Sequence, residues 1–464
     1  MKSALNIPQL ILQFVQQYKD SLDIDETQSY RIIYSHRTIA IDVAQLSITD
    51  INLERSICFW SAPEKGEYLA AYDICESFQA EGKQRLSQLD KQFKNCMTSW
   101  SIPKGFDSPI AFCGFAFDDN DQMDSPWQEF SNSQLIIPQL LVHIRAQATR
   151  IILNYTLKID DMELYIKRLL KKAFTPTTID QLNHQPLVQS AQQQSHKSDW
   201  IKQVNNALLT LKKGVVNKLV PSRHVRYQQQ PVSADDLLNR LSKTYPACRI
   251  ISMRQNKSRL IAASPERLLK ISGENVSCDA IGGTLKRSHG QSISQLLRHN
   301  SQSIDKLLHE HAIIVEHIYN VLDQFCEILK LPTAPGIMKL KHLLHLETQL
   351  RGKLKKPTSI LTLAEKLHPT PAVAGFPTQE AITWLKQNER HQRGWYTGAV
   401  GWMTPSGAGE LSVVLRCALI SQQKANQANN FDLYAGAGIV ENSSPEEEWD
   451  ETELKLETIL GILK

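Results

Sequence analysis

Short cysteine spacings are missing from this 464-residue chain: its eight cysteines stand at 58, 75, 96, 113, 248, 278, 326 and 417, without a single C-x-x-C pair. That excludes the common zinc and redox motifs and leaves reduced, mostly buried thiols. No run of 18 apolar residues occurs, which excludes a transmembrane helix. The stretch from Met1 to Tyr18 is broken by Pro8, Gln9 and Gln13 and lacks the continuous apolar core of a signal peptide, so the cytoplasm is the expected location. Charge of one sign is scarce as well. The chain has 52 Lys+Arg against 48 Asp+Glu, a net +4, whereas a nucleic-acid binder or a polybasic membrane protein needs clustered positive charge. Acidic small molecules remain as partners, and no obligatory protein partner is evident. No internal repeat is visible, which argues against a solenoid or propeller.

What is present reads as α/β (α+β), with antiparallel sheet and inserted helices. Glutamine, serine and histidine displace apolar residues at His184–Lys197, a linker or surface loop that divides an N-terminal lobe, 1–183, from 198–464. The lobe holds strand-like Tyr30–Ile41 and Pro109–Phe117 and the helical Ile159–Ala173. Beyond the linker, Ser198 is positioned to N-cap a helix closed by Gly214, and a strand follows at Val215–Tyr227. Further strand-like segments are Arg249–Arg254, Arg259–Ala263, Leu268–Ser272, Asn275–Ala280, Tyr396–Thr404, Glu410–Ile420 and Asn430–Ala435, many joined by short turns. Ser303–Lys330 has the spacing of a long helix.

Several residues invite chemistry. Strand alternation puts Lys218 on one face with Val216 and Val220, where desolvation would lower its pKa and make it a general base; a surface lysine on an amphipathic strand is the commoner explanation. Glu266, in Ala-Ser-Pro-Glu-Arg, sits at a strand end, either as a protonated general acid or as a solvated turn glutamate. Glu310 lies at the rim of the long helix's apolar face, where a solvated charge is ordinary. Ser444-Pro445-Glu446-Glu447 has a capping-box pattern, and the helix it starts carries Trp449, Thr452, Leu456, Ile459 and Leu463 on one stripe. Glu448, Glu451 and Lys455 form the neighbouring stripe. Two carboxylates within one turn repel unless a cation intervenes, and without His or Cys a hard ion such as Mg²⁺ suits them; compensation of the helix dipole explains Glu446 and Glu447. The glycine turn Tyr434–Ile439 follows a strand and offers backbone N–H groups to an anion, but is too short for a dinucleotide fingerprint. Arg416 falls inside the apolar run Leu411–Leu419, where it requires an anion, from a ligand or from an internal salt bridge.

Eight motifs stand in one order across Lys218–Thr452: NKLVPSR (217–223), SPE (264–266), AIGGT (280–284), HEH (309–311), LHPTPAVAGFP (367–377), RGWYTGAVGW (393–402), VLRCA (414–418) and YAGAGIVENSSPEEEWDET (434–452). This order resembles the chorismate-utilising enzymes, most closely the isochorismate synthases. The resemblance implies an aminodeoxychorismate-synthase-type fold, with 1–183 a variable lobe and 198–464 the chorismate-binding region. It implies Lys218 as the base that activates water and Glu266 as the acid that protonates the departing hydroxyl. Glu310, Glu448 and Glu451 would surround Mg²⁺, with Glu310 and Glu451 the direct ligands. Arg416, Tyr396, Gly436 and Gly438 would bind a carboxylate, and Thr284 and His368 would line the ring pocket. Chorismate is the implied substrate, and menaquinone or siderophore synthesis the implied setting. Anthranilate synthases typically lack the lysine at 218 and aminodeoxychorismate synthases typically carry one at 282, so water is the implied nucleophile. A salicylate synthase, which goes on to eliminate pyruvate, is the second reading. A chorismate-binding protein without turnover is a third, motivated by Pro221 and Gly282, which stand where Leu and Ala are usual; Asp279 likewise replaces a usual Glu.

Overall fold

Apolar, β-branched segments separated by short turns satisfy their backbone groups most directly by pairing with neighbours, and nearly every ladder in this chain is antiparallel. The computed structural model describes residues 5–26, 35–102, 107–156, 159–176, 188–189, 196–286, 301–340, 343–422 and 428–464. The strand Ser133–Ile144 is the fork of the sheet. One edge pairs with Glu67–Ala80, and the other with Ala111–Phe115 and Thr149–Thr156. From Glu67–Ala80 one half runs through Cys58–Ala62, Arg249–Gln255, Ser258–Ser264, Cys417–Ser421 and Asn429–Gly436 to Ser222–Gln229. From Ala111–Phe115 the other runs through Ala399–Met403, Gly409–Val413, Arg267–Ser272 and Asn275–Lys286 to Leu343–Leu354. The expected mixed α/β architecture with two antiparallel halves is therefore present, and both halves use strands from before and after residue 184.

The helices cover these halves according to their apolar faces. Ser301–Phe325 lays Ile314, Ile318 and Leu322 on the second half, in one core with Leu268, Ile271 and Cys278. Pro445–Leu463 packs Leu456, Ile459 and Leu463 into another core shared with the N-terminal helix Ile7–Glu26. A third cluster, with Trp60, Trp127 and Trp395, draws on both halves, through Ile251 and Leu419 of the first and Phe112 and Val400 of the second. All eight cysteines are unpaired, six of them buried. Among the described residues no helix is long and apolar enough to cross a membrane.

Several element boundaries differ from the pattern-based expectation, each for a local reason. The strand expected at Val215–Tyr227 is interrupted at Val220–Pro221, leaving Lys218–Leu219 and Ser222–Gln229, because Pro221 has no N–H to pair. Glu410–Ile420 breaks at residues 414–416, so Arg416 lies in a kink between Gly409–Val413 and Cys417–Ser421 rather than inside a strand. The long helix ends at Phe325, and Cys326–Lys330 turns into a strand against Leu343–Leu354. His196, not Ser198, is the N-cap of the helix Lys197–Lys212, and Ser444 caps the last helix without a side-chain hydrogen bond. Of His184–Lys197, only Val188–Gln189, paired with Tyr227 and Gln228, and His196–Lys197 lie within the described residues.

Candidate active site

Lys218 owes its place to a strand held on both edges. Lys218–Leu219 pairs with Gly375–Phe376, and Leu219 exchanges both backbone hydrogen bonds with Ile439, at 3.0 and 2.7 Å. The side chain is 1% exposed, which removes the surface reading. Gly375, at φ 131°, is what lets the partner strand come close: a Cβ there would stand 2.3 Å from the Lys218 carbonyl oxygen.

The residues that line the cavity at Lys218 come from ten separate segments of the chain. The cavity is lined by Lys218, Glu266, Thr284, Glu310, Tyr396, Arg416, Gly436, Gly438 and Glu451 among those expected from the sequence, together with His345, Thr397 and Lys455. Lys218 Nζ lies 3.0 Å from Glu310 Oε1, and the glycine turn passes so near that a Cβ on Gly438 would sit 2.3 Å from the same oxygen. Glu451 Oε1 is 2.5 Å from Lys455 Nζ, which also donates to the Gly436 carbonyl at 2.8 Å. Burial pushes the Glu451 carboxyl up, but Lys455, the Thr284 hydroxyl and Arg416 together outweigh it and hold it below its ordinary range.

Glu266 is buried, not solvated. Its backbone N–H donates to Ser264 Oγ at 3.2 Å and its carbonyl accepts from Val413 N at 3.1 Å, so the turn after Ser258–Ser264 is pinned. Burial raises the carboxyl to about 8, partly opposed by the charge of Lys218. At neutral pH it therefore holds a proton while Glu451 does not. Two acids with opposite protonation face one cavity.

Arg416 has φ 50°, a left-handed conformation that side chains other than glycine avoid. Its Nη2 lies 3.3 Å from His345 Nε2. Burial, then Arg416 and Lys455, push His345 well below its ordinary value, so the ring is neutral. Nε2 then accepts from Arg416, and Nδ1–H donates to Thr284 Oγ1 at 3.3 Å. Among the described residues Arg416 makes no salt bridge, although the charge of Glu451 acts on it through space against the effect of burial. Tyr396 is stacked on Tyr434 at 5.2 Å, and Tyr434 on His224 at 4.8 Å.

Two expected residues stand elsewhere. His368 does not line this cavity: Nε2–H donates to the Thr397 carbonyl at 2.8 Å, the ring meets the edges of Phe115 and Phe117, and it faces a second cavity with Arg85 and Glu365. Burial pushes it down to about 3, so it supports the wall from behind as a neutral ring. Glu448 is buried one turn before Glu451 but is not among the lining residues. Sequence reasoning passed over His345, although a histidine amid the leucines of Leu343–Leu346 is a signal of the same kind as Arg416. It noted Lys455 only as part of a stripe.

The described residues hold no cluster of three or more His, Cys, Asp or Glu around a metal point. The donor chemistry nevertheless fits a hard cation. Glu310 and Glu451 present carboxylate oxygens to the same cavity, 3.0 Å from Lys218 Nζ and 2.5 Å from Lys455 Nζ, and oxygen donors of this kind suit a hard ion.

Comparison with known proteins gives a consistent result. The family described as "Chorismate binding enzyme" matches residues 16–464. The isochorismate synthase MenF of Bacillus subtilis is 30% identical over 357 residues, covering 76% of this chain and 74% of that protein. The salicylate biosynthesis isochorismate synthase of Pseudomonas aeruginosa is 27% identical over 409 residues, 87% of this chain and 84% of that one. In fold, the menaquinone-specific isochorismate synthase MenF of Escherichia coli superposes with a TM-score of 0.74 at 21% identity, over 97% of this chain and 100% of the other.

Proposed function

The chain belongs to the chorismate-binding enzymes, and from that premise we propose that it is an isochorismate synthase, converting chorismate to isochorismate with Mg²⁺ held at Glu310 and Glu451. The observation that carries the reading is the pairing of a buried lysine with a protonated glutamate on one cavity that also contains an arginine without a salt bridge. The product would feed menaquinone or siderophore synthesis, the settings of the relatives.

Chorismate carries two carboxylates. One is received by Arg416, with Tyr396 and the backbone at Gly436 and Gly438 beside it. The other would lie beside Glu310 and Glu451, with Glu448 one turn away on the helix that carries Glu451; Mg²⁺ held by Glu310 and Glu451 would supply the positive charge that neutralises this carboxylate. Lys218 is the base that takes a proton from the water that attacks C2. Glu266 gives its proton to the C4 hydroxyl, which departs as water. One water enters and one leaves, so atoms balance as an isomerisation requires, and the two residues recover their starting protonation through solvent. Thr284 and His345 hold Arg416 and Glu451 in fixed relation while this happens.

Incubation with chorismate and Mg²⁺, followed by chromatography, tests the proposal. Isochorismate as the main product supports it. Salicylate with pyruvate would assign the chain to the second reading, and thermal stabilisation by chorismate without any product would make it a binding protein.

A further inference from the structure

The ladder that carries Lys218 ends one residue later, in an unusual way. Val220 N–H donates to Ala374 O at 3.0 Å, whereas Pro221 faces the opposite edge, where its carbonyl accepts from Ala437 N at 3.2 Å. At that point one guanidinium takes over. Arg393 Nη2 donates to Val220 O at 2.6 Å and Nη1 to Val373 O at 2.8 Å, one carbonyl on each side of the ladder's end; Nη1 also reaches Thr397 Oγ1 at 3.2 Å. Glu389 fixes the fork by accepting from Nε at 2.8 Å and Nη2 at 2.6 Å. Its Oε1 also accepts from Ser222 N at 2.7 Å and Ser222 Oγ at 2.8 Å, so the carboxylate grips the chain just past Pro221.

We propose that the Glu389–Arg393 pair is a positioning device for Lys218, in which the guanidinium joins the Val220 and Val373 carbonyls where the backbone pairing between these two segments ends. Val220, Val373 and Thr397 line the cavity, whereas Arg393 and Glu389 do not, so the pair acts on the reaction only through the walls it joins. Both side chains are nearly inaccessible, 3% and 6% exposed. A buried ion pair is a poor source of stability compared with apolar packing. Its suitability here is geometric: a planar fork can bridge two carbonyls and one carboxylate at once, which a lysine ammonium, a single point on a flexible stem, does not reproduce.

The proposal rests on the reading of Lys218 as the base, and its test separates the two. Steady-state constants for chorismate are measured in wild type, Arg393→Lys and Glu389→Gln, together with hydrogen exchange at the Leu219 and Val220 amides. A displacement of the amine by about 1 Å corresponds to a fall in kcat of about 100-fold. The expected result is that fall for Arg393→Lys, a smaller one for Glu389→Gln, KM within about threefold of wild type, and faster exchange at Val220. A kcat within about twofold of wild type in both variants, or losses of kcat that merely track losses of folded protein, would overturn it. If Arg393→Lys does not fold, Glu389→Gln, which keeps the shape and removes the charge, decides alone. If wild type makes no isochorismate, the functional reading falls, and exchange at Val220 in the same variants still decides whether the pair holds the ladder.

Discussion

Glu266 and Glu451 are both glutamates on one cavity, yet burial wins at the first and neighbouring positive charge wins at the second. That difference has consequences for pH. In the proposed role of acid Glu266 must be protonated, so kcat should fall as pH rises through about 8. Glu266→Gln should remove that limb of the profile and lower kcat by about 10²- to 10⁴-fold, a loss that pH–rate measurements on both proteins would show. Stability follows the same group. A carboxyl raised in the folded chain contributes stability that is complete below its ordinary pKa of 4.5 and is lost as pH passes its folded value of about 8. The melting temperature of Glu266→Gln should therefore gain on wild type as pH climbs across that window. For Lys218→Ala, isothermal titration should still detect chorismate while product formation drops below detection; near-normal turnover would remove the lysine from the role of base.

At the scale of elements, the short strand Lys218–Leu219 is the most exacting. Gly375→Ala would drive a methyl into the Lys218 carbonyl, so the strand must shift; an expected kcat loss of about 100-fold, with stability lower by about 1–3 kcal/mol, can be read by kinetics and denaturant titration. On the last helix, Glu451→Gln should weaken the Mg²⁺ dependence of turnover, and an unchanged Mg²⁺ titration would reassign the ligand. Here the limits of sequence reading become physical. Short apolar runs bounded by turns, such as those in Ser258–Ser264 and Asn429–Gly436, were legible because these strands are buried on both faces along nearly their whole length. Motif order brought Lys218, Glu266, Glu310, Arg416 and Glu451 to one cavity without any knowledge of pairing. What alternation could not show was the interruption at Pro221 and the kink at Arg416, where apolar composition continues but backbone direction changes. Nor could it place His368, whose neighbours Phe115 and Thr397 come from segments far apart in the chain.

For the whole molecule, strands from 1–183 and from 198–464, the two parts of the proposed division on either side of 184–197, pair with one another. Ile250–Met253 pair with Cys58–Ser61, and Ala399–Met403 with Ala111–Phe115; Trp127 donates to the Tyr434 hydroxyl at 3.0 Å. A fragment of 198–464 would leave two interior strands, Arg249–Gln255 and Ala399–Met403, each unpaired along one edge. It should lack a cooperative thermal transition by circular dichroism, and co-expression with 1–183 should restore one. The kink at Arg416 bears on the intact chain differently. A left-handed arginine is disfavoured by roughly 1–2 kcal/mol, and a buried guanidinium without a salt bridge adds to that. Arg416→Gly should thus melt at or above the wild-type temperature in buffer without chorismate, while losing chorismate affinity. A screen for thermal tolerance would favour the substitution and a screen for growth would discard it, so persistence and usefulness are selected in opposite directions at this one position.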